Sequence, residues 1–208
     1  MIFDLDGTLV MSGKDIAASV NYALETLGLP NFEEKVIHQF IGDGVIKLIE
    51  RSLGTASQDR FEEALALFMR HYDEHLLDTT ILYPGVKEVL RHFHDKKKVI
   101  LTNKKYRFAV ALSDALQLTH CFDDILGAES TPYTKPDPRL VGPLLERYQA
   151  HPDRTVVIGD GVNDILLARN AGVLSCAILS GLTSRETLLS LKPDDVCEYL
   201  SEITKLFY

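Results

Sequence analysis

Paired cysteines, a basic excess and long apolar runs are all missing from this 208-residue chain. Its three cysteines, Cys121, Cys176 and Cys197, are odd in number and form no CxxC pair. They read as reduced thiols with structural roles. The formal net charge is −8, so the surface repels nucleic acid and anionic membrane, and neither is an expected partner. No stretch reaches membrane-spanning length, and no charged leader precedes an apolar signal core. A cytoplasmic protein is expected. Repeats and low-complexity segments are absent as well. What is present is an ordinary globular composition, 46% hydrophobic and 25% charged, in a length that holds one large domain or a core with a smaller insert.

The apolar spacing divides the chain in two. Met1 to Asp4 reads as the tail of a buried strand, short at its N-terminal end as in a chain whose start has been trimmed, and Gly7-Thr8 turn the chain. Helical spacing then dominates. Ile16, Val20, Ala23, Leu24 and Leu27 form one stripe, ended by Gly28 and Pro30; Val45, Leu48, Ile49 and Leu53 form another; Phe61, Leu65, Phe68 and Tyr72 form a third. From about Ser12 to about Leu82 there is no convincing strand. After Pro84-Gly85 short apolar runs alternate with helical patterns: strands at Val99-Ile100-Leu101, Ile125-Leu126, Val156-Val157-Ile158 and, last, Ser175 to Leu179. Alternation of this kind predicts a doubly wound parallel sheet with helices on both faces. The fold class is therefore α/β, with residues 1–11 and 83–208 as the core and 12–82 as an inserted helical cap. The run Lys96-Lys97-Lys98 reads as a solvated helix end.

Polar residues gather where the strands stop. The first strand runs into Asp4-Leu5-Asp6-Gly7-Thr8, the second into Thr102-Asn103, the third is followed by Lys135-Pro136-Asp137-Pro138, and the fourth by Gly159-Asp160-Gly161-Val162-Asn163-Asp164. Open parallel sheets bind ligands beyond the carboxyl ends of their strands. Four segments thus bring acids, a hydroxyl and a lysine to one edge. An EF-hand reading of the last segment fails, because Val162 and Ile165 stand where that loop needs a ligand and a glycine.

The segments FDLDGTLV, LTN, KPDP and GDGVND followed by LARNAG match, in order, the four signatures of the haloacid dehalogenase superfamily, and the chain resembles that family over its whole length. IGDGVIKLIERSLG and GLTSRETLLSLKPDDV resemble its phosphoglycolate phosphatase branch. One departure is Met11-Ser12, where many relatives carry Asp-Ser.

The resemblance implies a Mg²⁺-dependent phosphatase of a small phosphate ester, with 2-phosphoglycolate as the expected substrate, acting through an aspartyl-phosphate. It assigns Asp4 as nucleophile and Asp6 as the acid that protonates the leaving oxygen and then activates water. Two residues apart on a strand, their side chains would share one side of the backbone. Thr102 and Asn103 are implied as phosphoryl donors, and Lys135 as the cation for Asp4 and the phosphoryl group. Asp4, Asp160 and the main-chain carbonyl of Asp6 are the implied metal ligands, with Asp164 behind them through water or Lys135. Four ionised acids and one lysine would repel a phosphate dianion, and the metal and a protonated Asp6 bring the site to neutrality.

The cap is expected to hinge near Ser12-Gly13 and Leu82-Pro84 and to bring Gly42-Asp43-Gly44 to the site, with Lys47 meeting a substrate carboxylate. His71 and His75, spaced i, i+4, and His92 and His94 read as surface histidines. Pyrophosphatase, sugar-phosphate phosphatase and phosphomutase chemistry share the same machinery. A phosphonate-cleaving relative would need a Schiff-base lysine, for which Lys14, Lys35 and Lys47 are the candidates. A non-enzymatic phospho-acceptor module would lack both the helical insertion and the second acid. The chain is expected as a monomer or homodimer.

Overall fold

The structure is a computed structural model, and it describes residues 1–207. Six parallel strands form one sheet: β1 (Ile2–Phe3), β2 (Val99–Lys105), β3 (Asp124–Ala128), β4 (Val156–Gly159), β5 (Leu174–Ile178) and β6 (Asp195–Cys197), in the order β3-β2-β1-β4-β5-β6. Side chains alternate between its faces. Ile2, Val99, Leu101 and Val157 share one apolar cluster, while Phe3, Ile100 and Ile158 belong to the other. Both faces are covered, which is why the strands read as unbroken apolar runs. One cover carries α7 (Gly142–Tyr148) and α8 (Val162–Ala171); the other carries α5 (Val86–His92) and α6 (Tyr106–Ala115). Helix α9 (Arg185–Ser190) follows β5.

Between β1 and β2 lie α1 (Gly13–Thr26), α2 (Glu34–His38), α3 (Val45–Leu53) and α4 (Phe61–His75). Their apolar stripes join the cluster that holds Phe3 and Ile100. In α4 the buried positions are Ala64, Phe68 and Tyr72, a stripe at i, i+4, i+8. Among the described residues no helix is long and apolar enough to cross a membrane. All three cysteines are unpaired, with Cys176 and Cys197 buried on neighbouring strands.

Three expectations need correction. The first strand comprises only Ile2–Phe3, so Asp4 lies just past its end. The run at Ser175 is not the last strand: β6 follows at the sheet edge, a three-residue strand whose Val196 is exposed and so leaves no apolar signature. Lys98 is not solvated. Its Nζ donates to the carbonyls of Phe93 at 2.7 Å and Lys96 at 2.8 Å, occupying acceptors left over at the end of α5. Lys97 stays outside and pairs with Asp123 at 2.7 Å.

The two connections to the helical segment run side by side. Met11 N–H donates to the Ile81 carbonyl at 2.8 Å, Tyr83 N–H to that of Leu9 at 3.0 Å, and Val10 bridges Leu82. Asp15, at the start of α1, clasps them. Its carboxylate accepts from the N–H groups of Thr79 at 3.0 Å and Thr80 at 2.9 Å, and from their hydroxyls at 2.5 and 2.7 Å. Burial alone would raise this carboxyl, but the threonine donors overturn that and hold it below its ordinary value of 3.8. A carboxyl depressed in the native state adds stability above its unfolded pKa, and that stability is lost as pH falls through the lowered native value. Asp15→Asn is expected to cost about 2 kcal/mol in urea denaturation at pH 7, with the gap to wild type closing below about pH 4. A gap independent of pH would remove the charged clasp.

Candidate active site

The chain leaves β1 towards β2 and β3 on one side, then crosses to β4, β5 and β6 on the other. The switch point lies where β1 and β4 pair, and there a crevice opens beyond the strand ends. Asp4 leaves β1 with its N–H bound to the Ile158 carbonyl at 2.9 Å, and Asp160 immediately follows β4. Between them the chain must turn tightly. Gly7 has φ +87°, and a Cβ there would lie 2.2 Å from Asp160 Oδ2. Only glycine serves this turn and this approach together.

Lys135 stands at the centre. Its Nζ donates to Asp4 Oδ1 and to Asp164 Oδ1, each at 2.6 Å, and its side chain is only 3% exposed. Burial by itself would lower the ammonium, but the charges of Asp164 and Asp4 overturn that and leave it raised. Asp164 is held besides by the Gly161 N–H at 3.0 Å, as the third residue of α8. Burial pushes the Asp4 carboxyl up to about 7 despite Lys135. For Asp160, burial and then the charge of Asp4 push it up to about 8, against the Thr8 hydroxyl at 2.6 Å and the Leu182 N–H at 2.7 Å. Among the described residues Asp160 has donors but no cation.

Asp6 sits on the other side of Asp4, with different partners. Lys104 Nζ reaches its two oxygens at 2.9 and 3.1 Å, and the Ser12 hydroxyl makes a short bond to the first. The same ammonium donates to the Tyr72 hydroxyl of α4 at 2.7 Å. Sequence reasoning passed over Lys104. Strand alternation was the available signal, since it puts residue 104 on the same side as 102. The second strand, expected to stop at Leu101, runs on to Lys105 with an irregular register after Leu101.

The loop at Gly42-Asp43-Gly44 meets this edge. Asn103 Nδ2 donates to the carbonyls of Gly42 at 2.9 Å and Lys135 at 3.0 Å, while its Oδ1 accepts from Lys135 N–H at 2.8 Å. Both amide hydrogens are thereby used, so Asn103 ties three segments together and has no hydrogen left for a phosphoryl group. Asn163 Nδ2 also reaches Gly42 O at 3.1 Å and Asp43 Oδ1 at 2.6 Å. Thr102 is buried and faces the cavity beside Asp4. Lys47 does not join them. Leu48 and Ile49 turn inward on α3, which leaves Lys47 outside, where it pairs with Glu50 at 2.6 Å. None of Lys14, Lys35 and Lys47 lines a cavity at the site, so none of these three candidates is placed for Schiff-base chemistry there. His71 lies against Ser19 at 2.9 Å and stacks on His75 and Tyr22, away from any metal-binding group.

Two cavities meet at Asp4 and Asp6. One, of about 490 Å³, is lined by Lys135, Asp160, Asn163 and Asp164 and by Arg51 of α3. The other, of about 70 Å³, lies under the helices and is walled by Ile16, Ile41, Val45, Leu48, Phe68 and Phe108, with Tyr72 and Lys104 at its polar end. Among the described residues no three His, Cys, Asp or Glu side chains converge as a metal cluster. Two buried carboxylates of raised pKa, Asp4 and Asp160, do make a hard-oxygen pair, and Mg²⁺ takes only one or two carboxylates with water and other oxygens.

A carboxyl raised in the native state adds stability below its unfolded pKa, and this is lost as pH climbs through the native value. Chelator-treated protein should therefore lose thermal stability as pH rises through 7 to 8, the values reached by Asp4 and Asp160. Asp160→Asn should flatten that slope in melting curves between pH 6 and pH 9. A wild-type Tm constant or rising over this range would contradict the assignment.

Known proteins align with this chain along nearly all of it. The model of the haloacid dehalogenase-like hydrolases matches residues 1–178. A phosphoglycolate phosphatase of Vibrio parahaemolyticus is 33% identical over 213 residues, covering 98% of this chain and 93% of the relative. One from Chromobacterium violaceum is 36% identical over 196 residues, covering 89% and 87%. Among solved structures, a predicted phosphoglycolate phosphatase from Haemophilus somnus superposes with TM-score 0.93 at 31% identity, covering 99% of this chain and 96% of that one. A haloacid dehalogenase-like hydrolase from Streptococcus pneumoniae does so with TM-score 0.89 at 27% identity, covering 100% and 97%. With the acids, the lysine and the switch-point crevice already in place, the chain belongs to the haloacid dehalogenase-like hydrolase family and is an enzyme of its phosphatase type.

Proposed function

We propose that the protein is a Mg²⁺-dependent phosphatase that hydrolyses 2-phosphoglycolate through a phosphoryl group carried on Asp4. The observation that carries this reading is the position of Asp4 where the two cavities meet. Lys135 binds its Oδ1, while Oδ2 accepts no hydrogen bond among the described residues.

Asp4 Oδ2 attacks phosphorus as the ester oxygen departs with its electron pair, and Asp6 delivers the proton that this oxygen takes up. Asp6 then draws a proton from water, which attacks the phosphorus of the aspartyl-phosphate and returns Asp4 to a carboxylate. Lys135 favours the ionised form of Asp4 against the effect of burial and offsets charge on the transferring group, with Asp164 holding the ammonium in line. The Thr102 hydroxyl faces the same space and contributes a donor to the phosphoryl oxygens. Asp4, Asp160 and the Asp6 carbonyl would hold the Mg²⁺ ion, which supplies charge neutralisation for the phosphoryl group. Residues 12–82 act as a cap that excludes water, hinged on the paired connections at Val10 and Leu82.

The choice of ester rests on the relatives, which are phosphoglycolate phosphatases at 30–36% identity, and on size. At roughly 14 Å³ per water-sized group, the 70 Å³ cavity accepts about five such groups. A glycolate leaving group has five heavy atoms, whereas a sugar ring needs more room. Purified protein with Mg²⁺ should release phosphate from 2-phosphoglycolate faster than from glucose 6-phosphate or pyrophosphate, and excess chelator should abolish release. Asp4→Asn should lower kcat by at least about 10³-fold, in line with loss of a nucleophile. Normal turnover by that variant, or in chelator, would defeat the mechanism.

A further inference from the structure

Lys104 has the attributes of an anion receptor that the site's other cations lack. Lys135 already serves two carboxylates. Arg51 is bound to Asp43 and to the Phe40 carbonyl, on the larger cavity and partly in solvent. Lys47 lies outside. Lys104 is only 5% exposed and lines the small apolar cavity, and Asp6, itself 11% exposed, is its one carboxylate partner among the described residues. Beside it the Tyr72 oxygen accepts the lysine's hydrogen bond, and among the described residues no acceptor takes the phenol's own proton. Burial raises that phenol to about 12, so the proton stays. Phe68, stacked on the Tyr72 ring at 5.4 Å, and Phe108, edge-on at 5.0 Å, fix the ring.

We infer that Lys104 and Tyr72 together form the receptor for a carboxylate on the substrate's leaving group, and that they select esters whose alcohol carries such a group. This rests on the phosphatase reading above and deepens it by naming what recognises the substrate. Asp4, Asp6 and this pair line one cavity between apolar walls, with Lys104 in contact with Asp6, so a short ester whose phosphate lies at Asp4 brings a carboxylate on its leaving group close to the pair. The carboxylate accepts one hydrogen bond from the ammonium and one from the phenol, a charge-assisted pair in a dry pocket. An ester with a neutral end would occupy the space without pairing the tyrosine proton. The cation that sequence reasoning sought on the cap at Lys47 thus comes from core strand β2, and the cap supplies the phenol.

The test compares 2-phosphoglycolate with ethyl phosphate, which lacks the carboxylate, in wild type, Lys104→Met and Tyr72→Phe. Because Lys104 also touches Asp6, both esters will lose rate in Lys104→Met; the ratio of their kcat/KM values is the readout. Wild type is expected to favour 2-phosphoglycolate, and Lys104→Met to lower the ratio by about 10- to 100-fold, the usual effect of losing a hydrogen bond to a charged group. Tyr72→Phe keeps the ring and should lower the ratio by roughly 5-fold, mainly through KM; it decides the question should Lys104→Met not fold. A ratio unchanged in the variants, or a wild type that prefers ethyl phosphate, overturns the receptor while the phosphatase reading stands. Hydrolysis of neither ester by wild type overturns the reading, and the receptor with it.

Discussion

The Lys135 ammonium allows two carboxylates to share one dry site. Asp4 and Asp164 are buried at the same sheet edge, and a shared cation within 2.6 Å of both is what makes their charge tolerable. Other features depend on this triad being in register. Asn103 grips the main chain of Lys135 on both its N–H and its carbonyl, and with its remaining hydrogen holds Gly42 of the inserted segment. The loop carrying the lysine, the second strand and the helical insertion are therefore indexed to one another through a single amide. Asp164 in turn fixes the start of α8.

Charge is distributed unevenly about Asp4. On one side Asp160 is buried with a hydroxyl and an N–H and, among the described residues, no cation, which suits the metal role proposed for it. On the other, Asp6 already faces Lys104. A phosphate ester has a similar asymmetry, with the dianion at one end and a leaving group at the other. The net charge of −8 is averaged over the surface, and the local balance decides anion binding. At the crevice Lys104 and Lys135 face Asp4, Asp6, Asp160 and Asp164, so the raised carboxyls of Asp4 and Asp160 must be protonated or matched by a metal ion before a phosphate dianion is accepted.

Sequence patterns revealed elements whose apolar period was long and regular. The stripe Ile16, Val20, Ala23, Leu24 is the buried face of α1, the strand runs at 99, 125 and 156 lie inside β2 to β4, and the run at 175 matches β5 but passes its end by one residue, Leu179. The strand-end acids and Lys135 were legible because parallel strands deliver their termini to one edge. β6 was not, being three residues long with one side chain outward. Lys98 and Lys104 were misread or missed because lysine is exposed by default. Lys98 is buried on main-chain carbonyls two and five residues back, which carry no side-chain signal, and Lys104 on acceptors from distant parts of the chain. For Lys104 those are Asp6 and Tyr72, 98 and 32 residues away. Lys47 was misassigned because a spacing of three from Gly44 fixes distance along a helix, while the faces of Leu48 and Ile49 decide its direction.

Asp6 is bound from three parts of the molecule at once. Ser12 comes from the hinge, Lys104 from the core strand, and Tyr72 from α4 through that lysine. Withdrawal of α4 would take the phenol from Lys104 and replace it with water, loosening the ammonium that orients Asp6. Rotation about the Ser12 connection would remove the other donor from the same carboxylate. The groups that hold Asp6 are complete with the helices over the crevice, where the apolar walls also cover it. In the proposed mechanism, closure and alignment of the acid would be one structural event because they would use the same side chains. A separate gate would then be unnecessary, since an open site would leave Asp6 poorly aimed.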